Sequence, residues 1–492
     1  MRPGEWSFLD AMWRWGGFAT DAGWTQAAGR VAIERLRQER LQRLLAWTRR
    51  HSRYYATHWA KAPRRDLRLA DLPHVHKADL MAHFDDWVTD SAVTRKAVEH
   101  FASDLVRIGQ PMLGRYAVFS SSGTTGVPGL IVHDADALAV YDALGATRMG
   151  ALAPAWNWGE PLTGHRYALI AATEGHFAGI VSWERLRALH PWFEVNARVF
   201  PVTAPIRETC AELERFRPTV VASYATVLRA LAYERDAGRL AIQPSVLWYG
   251  GEWLAPIARD HIQRAFGCRV AGDYGASEFL NIAFECERGA LHLNDDWVVL
   301  EPVDENYEPV PPDTASASVL LTNLANHVQP LVRYELGDSV TIASKPCACG
   351  RHFPVIRVDG RRDEILRLDD SRGHDVPIMP MALCTAVRRA PENTDSRSCR
   401  RDPPRCACAW SPPRVPATRV PASRIAYRNS SPARASPTSR SASRPATSPP
   451  TPSAASSGRC GARRRGSWRE SMEAPRCRMR HGVRDGRTGM AK

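Results

Sequence analysis

Ser120, Ser121, Ser122, Thr124 and Thr125 set five hydroxyls around Gly123 and Gly126, directly behind the apolar run 116–119. A strand entering such a loop exposes backbone N–H groups and hydroxyls that can surround a phosphate. Glycine removes the side chain that would block the approach. No Lys-Ser or Lys-Thr pair follows the second glycine, so this is not the usual P-loop. A solvated turn has the same composition, and the loop alone does not separate the two readings. Four further groups follow it in order. Gly250-Gly251-Glu252 closes the strand-like run 246–249, and Asp273-Tyr274-Gly275-Ala276-Ser277-Glu278 follows another at 269–271. Arg333-Tyr334-Glu335-Leu336-Gly337-Asp338 and Gly360-Arg361-Arg362-Asp363-Glu364 complete the set. Taken singly, Tyr274 also reads as a core tyrosine, Asp338 as a turn cap after glycine, and 360–364 as a solvated charge run.

A second constellation is made of thiols. Cys347 and Cys349 flank Ala348, while Cys286 and His292 stand six residues apart across a glycine-containing stretch. Three cysteines and a histidine make a tetrahedral structural-zinc set, with no open position left for substrate. Free buried cysteines are the competing reading. A cytosolic chain of this size needs no disulfide framework, so clustered cysteines point first to metal.

The elements that must position these groups follow from periodicity. Val31, Leu36, Leu41, Leu44, Leu45 and Trp47 predict a helix over 29–59, and 71–87 reads as a turn and a short helix. From about 115 to 300, strand-like runs at 168–170, 220–222, 246–249 and 269–271 alternate with helical segments such as 225–235 and 256–266. That alternation argues for an α/β fold with largely parallel sheet, whose ligand loops gather at the C-terminal ends of the strands. Residues 298–345 read as more purely β, a small β-rich subdomain.

In their order and spacing the five groups resemble the adenylate-forming superfamily, most closely its phenylacetate–CoA ligase branch. The resemblance covers roughly residues 30–387 and includes the stretches HSRYYATHW and LPHVHKADL. It implies that a carboxylate attacks the α-phosphate of ATP, and that the acyl group of the resulting adenylate passes to coenzyme A. It assigns the β- and γ-phosphates to Ser121, Ser122, Thr124 and Thr125, with Gly123 and Gly126 in the same loop. The adenine pocket is assigned to the main chain of Gly250, Gly251 and Glu252, and Tyr274 is to stack on the base. Asp273 and Gly275 belong to the same ATP-binding motif. Ser277 is to bond phosphate and Glu278 to hold Mg²⁺, a hard cation that prefers such oxygens. Asp338 is to accept both ribose hydroxyls, which suits a carboxylate with two acceptor oxygens. Arg361 is to contact ribose or phosphate, and Asp363 is the hinge of a small C-terminal domain. His176 and Phe177 lie near where that family forms its acid pocket, with apolar packing the preferred reading for the pair, and Tyr224 and Trp248 are further candidates for the pocket. The expected partners are ATP, a small carboxylic acid and coenzyme A, with a homodimer admitted.

Charge divides the chain. Residues 388–492 carry 23 Arg, 1 Lys and 6 acidic residues, a net of +18 within the total of +14, so residues 1–387 carry −4. The basic excess therefore says nothing of a nucleic-acid-binding body. The tail is Arg, Pro, Ser and Ala with little aliphatic periodicity, a composition that predicts disorder. An out-of-frame reading of a GC-rich gene from near residue 387 explains it; a basic regulatory or RNA-binding tail is the alternative. Finding no periodic αβ pattern in the other frames of the downstream DNA would refute the frameshift. The expected divisions are an extension at 1–28, a large adenylation domain at 29–360, a hinge and the start of the small domain at 361–387, and the tail. No signal peptide and no apolar run of membrane-span length is seen, which predicts a cytoplasmic protein.

The family's adenylation step uses a lysine late in the small domain, and after Lys345 this chain has only Lys492. The resemblance therefore implies an impaired ligase. Two alternatives stand beside it: adenylyl transfer to a deazaflavin coenzyme, as in coenzyme F synthetases, and a non-catalytic ATP-binding remnant.

Overall fold

The computed structural model describes residues 6–63, 67–121, 129–148, 165–361, 366–369 and 375–378, with side chains as far as residue 360. The chain opens with three helices, α1 (Phe8–Ala27), α2 (Arg30–His51) and α3 (Arg53–His58). Ser7 caps α1 by accepting the Asp10 N–H at 3.3 Å. Ser52 ends α2 and caps α3 by accepting the Tyr55 N–H at 3.4 Å, so the single helix predicted over 29–59 is two. A serine side chain that bonds the backbone offers an alternative to continuing the helix. Leu41, Leu44 and Leu45 face the core as the periodicity predicts, but Val31 is 84% and Trp47 40% exposed. Ile33 and the guanidinium of Arg40 take buried positions instead. The predicted turn and helix of 71–87 resolve into α4 (Lys77–Ala82) and α5 (Phe84–Trp87), followed by α6 (Arg95–Ala102).

Strands β1 (Ala117–Ser120) and β2 (Leu130–His133) form an antiparallel hairpin that brackets the Ser/Thr/Gly loop. The chain then passes through α7 (Ala135–Arg148) into the predicted alternation. Its members are β3 (Tyr167–Ala171), α8 (Ala178–Leu189), α9 (Pro191–Asn196), β4 (Ala197–Pro201), α10 (Ile206–Phe216), β5 (Val220–Ser223), α11 (Ala225–Asp236), β6 (Val246–Tyr249), α12 (Pro256–Phe266) and β7 (Arg269–Ala276). The β-rich region supplies β8 (Phe279–Glu285), β9 (Leu291–Leu293), β10 (Val298–Val303), β11 (Ser318–Asn323), β12 (Tyr334–Glu335), β13 (Asp338–Ile342) and β14 (Val355–Arg361). A last pair, β15 (Leu366–Asp369) and β16 (Asp375–Ile378), forms its own hairpin.

The central sheet has nine strands in the order β13-β14-β9-β8-β7-β6-β5-β3-β4. From β4 to β7 neighbours run parallel; from β7 to β13 they run antiparallel. β10, β11 and β12 make a separate three-stranded sheet. One apolar core joins the N-terminal helices to β1, β2, α7 and the β-rich region; a second lies between the parallel strands and α10–α12. A buried ion network fastens the helices to the turn after β9. Arg148 reaches Asp296 at 2.6 Å, Arg40 reaches Asp296 at 3.1 Å, and Arg40 reaches Asp21 on α1 at 2.5 Å. Among the described residues no helix is long and apolar enough to cross a membrane.

Candidate functional site

The C-terminal ends of β5, β6 and β7 lie side by side, as parallel pairing requires, and deliver Ser223, Gly250 and Asp273 to one edge of the sheet. β7 pairs in parallel with β6 through Arg269–Gly272 and antiparallel with β8 from Asp273 onward, with an irregular register between Tyr274 and Ala276. The acidic motif therefore sits where the sheet changes direction. Only glycine fits at 275: a Cβ there would lie 1.9 Å from the Leu280 carbonyl oxygen. Gly251 turns the chain after β6 at φ +70°, a conformation that glycine adopts at no steric cost. The Glu252 carboxylate accepts the Thr226 N–H at 2.8 Å and its hydroxyl at 3.0 Å, tying this turn to the start of α11.

Two tyrosines cross-link the motifs that the sequence holds some 60 residues apart. The Tyr274 hydroxyl donates to Asp338 at 2.5 Å, and the Tyr334 hydroxyl donates to Glu278 at 2.9 Å. Asp338 and Glu278 are both buried, yet each borders the same cleft. Asp273 accepts from the Trp248 indole at 3.0 Å; loss of water pushes its carboxyl up to about 7 despite that bond. Behind the motif, Nε2 of buried His133 bonds the Ser277 carbonyl at 2.8 Å, and the Tyr141 hydroxyl reaches Nδ1 at 3.2 Å. Burial lowers His133 to about 4, so it stands here as a neutral clamp on the backbone. At the start of the Ser/Thr/Gly stretch, Ser121 accepts from the Gly129 N–H at 2.8 Å and from the Lys77 ammonium at 3.1 Å. The cleft encloses about 2630 Å³ and is bordered by Lys77, Ser121, Tyr224, Gly250, Tyr274 and Asp338, among others.

No family model matches the sequence. Phenylacetate-coenzyme A ligase of Thermus thermophilus is 28% identical over 359 residues, covering 68% of this chain and 72% of the relative. In sequence this chain is similar to a phenylacetate–coenzyme A ligase over two thirds of its length. Protein CapK of Staphylococcus aureus is also 28% identical, over 184 residues and 38% of its length. Among solved structures, 2-hydroxyisobutyryl-CoA ligase with 2-HIB-AMP and CoA in the thioesterification state aligns at a TM-score of 0.52, with 20% identity and 74% of each chain covered. A likeness at that identity shows the fold alone, one this chain shares with that CoA ligase.

Against that relationship the expected residues fall into three groups. Ser121, Gly250, Gly251, Glu252, Asp273, Tyr274, Gly275, Ser277, Glu278 and Asp338 all border the one cleft. Ser122, Gly123, Thr124, Thr125, Gly126 and Asp363 lie outside the described residues, as do residues 379–492; Arg361 is described only as the last residue of β14. Of the acid-pocket candidates, Phe177, Tyr224 and Trp248 line the cleft. His176 is not among the lining residues; it is buried against Phe101, with Nε2 bonded to the Asp104 carbonyl at 3.0 Å. Sequence reasoning missed Lys77, His133 and Tyr334 as site residues. Lys77 left one signal: the chain has 5 lysines among 66 basic residues, and a lysine in an arginine-rich sequence marks a place for a compact point donor.

The thiols also come together. The ligand atoms of Cys286, His292, Cys347 and Cys349 all lie within 4.8 Å of one another. Cys286 and Cys347 stand 3.9 Å apart, sulfur to sulfur, and Cys349 Sγ lies 3.3 Å from His292 Nε2. These separations match the edges of a tetrahedron with metal bonds of about 2.0–2.3 Å. His292 Nδ1 bonds the Phe353 carbonyl at 3.1 Å, which aims Nε2 at the sulfurs. Burial pushes the Cys286 thiol up to about 11; a cation among the sulfurs would reverse that.

Proposed function

We propose that this chain binds ATP and a carboxylic acid in the cleft, joins them as an acyl-adenylate with release of pyrophosphate, and is built to pass the acyl group to coenzyme A. The observation that supports this most directly is the pair of tyrosine–carboxylate bonds. They hold Asp338 and Glu278 at the cleft that Gly250 and Gly251 also border. In this reading Asp338 holds the ribose hydroxyls while Tyr274 fixes its carboxylate. Glu278 is suited to Mg²⁺, since it presents a buried oxygen donor beside the place for phosphates. When bound, Mg²⁺ would neutralise phosphate charge. Ser121 and Lys77 steady the loop that surrounds the β- and γ-phosphates, and backbone N–H groups at Gly250 and Gly251 border the base.

We also propose that Cys286, His292, Cys347 and Cys349 hold a structural zinc ion that staples the β8–β9 turn to the loop before β14. Their four-ligand donor set supports it. The five described cysteines are all free thiols, which suits a reducing, cytoplasmic setting. Adenylation is expected to be slow, because the sequence after Lys345 offers one lysine to meet charge developing at the α-phosphate.

Calorimetry with ATP and Mg²⁺ on the wild type and on Asp338→Ala tests the reading. Wild type is expected to bind, and the variant to bind at least about tenfold more weakly, the scale of a charge-assisted hydrogen bond of about 1.5–3 kcal/mol. Equal affinities would remove Asp338 from the nucleotide site. Pyrophosphate release that depends on an added acid, and thioester formation that depends on coenzyme A, would separate acid–CoA ligation from adenylyl transfer to another acceptor.

A further inference from the structure

We propose that the N-terminal helix α1 forms the far wall of the acid pocket, and that the acid accepted here carries an extended apolar body. The inference rests on the adenylation reading above. Ligand sites commonly enclose roughly 300–1,000 Å³, whereas this cleft encloses about 2630 Å³. The nucleotide end, between Gly250 and Asp338, leaves a second arm that runs along the face of β3 and β5.

The lining of that arm is apolar and aromatic. Trp183 and Leu186 come from α8 and Phe193 from α9. Among the described residues, Phe8, Met12 and Trp15 of α1 also line the arm, with Phe8 46% exposed. Their spacing of four and then three residues places them on one face of a helix. Asp142, the charged side chain that α7 lends to the arm, is neutralised by Arg185 at 2.6 Å. Burial lowers His190, which also borders the arm, so it favours the neutral ring. An arm of this kind rewards apolar surface and offers little to a second charge.

The wall is fixed rather than loosely laid. The Trp6 indole donates to the Gly109 carbonyl at 2.7 Å, and Phe8 packs edge-on against His190 with centroids 5.6 Å apart. Arg14 pairs with Asp136 at the start of α7. At the other end Phe18 packs edge-on against Trp297 at 5.6 Å, and Asp21 pairs with the buried Arg40 at 2.5 Å. Residues that the family resemblance leaves outside, before residue 30, thereby become part of the substrate site.

The test uses the full chain and 5′-O-(N-acylsulfamoyl)adenosines, stable mimics of an acyl-adenylate, with phenylacetyl, octanoyl and hexadecanoyl tails, in calorimetry without coenzyme A. Each added methylene is expected to tighten binding about fourfold until the arm is full. In Met12→Trp, which plugs the arm, the ratio of Kd between the octanoyl and hexadecanoyl tails is expected to collapse to about one. Ala11→Phe serves as a second plug if the melting temperature of the first falls. Wild-type affinity that does not rise with tail length, or plugs that weaken all tails by the same factor, would overturn the inference. Failure of every tail to bind, together with failure to bind ATP, would overturn the adenylation reading and this inference with it.

Discussion

At the scale of residues, the site is a set of carboxylates whose surroundings differ. Asp338 and Glu278 each receive a tyrosine hydroxyl, whereas Asp273 receives one indole N–H and loses most of its water. The consequence for Asp273 is a pH dependence of stability. Its carboxyl titrates near 7 in the folded chain and near 3.9 when unfolded. Between those values the folded state holds a proton that the unfolded state has lost, so this residue makes stability fall as pH rises from about 4 to about 7. Asp273→Asn is expected to flatten that part of the profile, as read by urea melts at pH 5 and pH 7. A slope as steep as in wild type would place the titration elsewhere, for instance at Asp295, which burial pushes up to about 6.

At the scale of elements, two hairpins depend on each other. The turn after β8 carries Cys286, β9 carries His292, and the loop leading to β14 carries Cys347 and Cys349. β9 pairs with β14 through only two residues in register, His292 with Val355 and Leu291 with Ile356. A pairing that short gains from a metal staple, because the binding energy of structural zinc is folding energy. Cys349→Ser is therefore expected to lose about one zinc per chain in a chromogenic chelator assay. Its melting temperature is expected to fall by several degrees and to match that of wild type treated with a strong chelator. Wild type purified from zinc-supplemented medium with no metal bound would remove the proposal. Because β13 and β14 carry Asp338 and Arg361, loss of the staple is also expected to weaken ATP binding.

At the scale of the whole molecule, buried charge joins parts of the chain that pattern alone keeps separate. Asp296 is enclosed between Arg148 of α7 and Arg40 of α2, and Arg40 also holds Asp21 of α1. These guanidiniums keep the Asp296 carboxyl below its ordinary range in spite of its burial. Asp296→Ala removes the carboxylate that buried Arg148 and Arg40 share, leaving Arg40 with Asp21 alone, and is expected to cost about 3–5 kcal/mol of stability, the scale for breaking a buried pair. Urea melts would measure it. A loss under about 1 kcal/mol would mean that the network relaxes into water. A loss on the expected scale would show that the network helps hold α1 and α2 to the turn after β9.

Much of this was legible in the sequence. The strand runs at 246–249 and 269–271, the helix at 256–266 and the ordered motifs of the site all depend on local rules: period-2 and period-3.6 burial, glycine where the backbone must turn, and polar loops at strand ends. The cysteine and histidine set was legible too, since thiols and imidazole are recognisable by type alone. Other features depended on the order of strands in the sheet. That order set Tyr274 against Asp338 and Tyr334 against Glu278, and placed His133 behind Ser277. Lys77 met Ser121 across 44 residues because α4 packs beside the β1–β2 hairpin. Val31 and Trp47 misled because a periodic apolar face does not say which flank a neighbouring helix covers. The sequence by itself determined the elements and the chemical types of the site, because those follow from neighbours along the chain. Only the tertiary structure decided which hydroxyl meets which carboxylate and where α1 lies, because those contacts span tens to hundreds of residues.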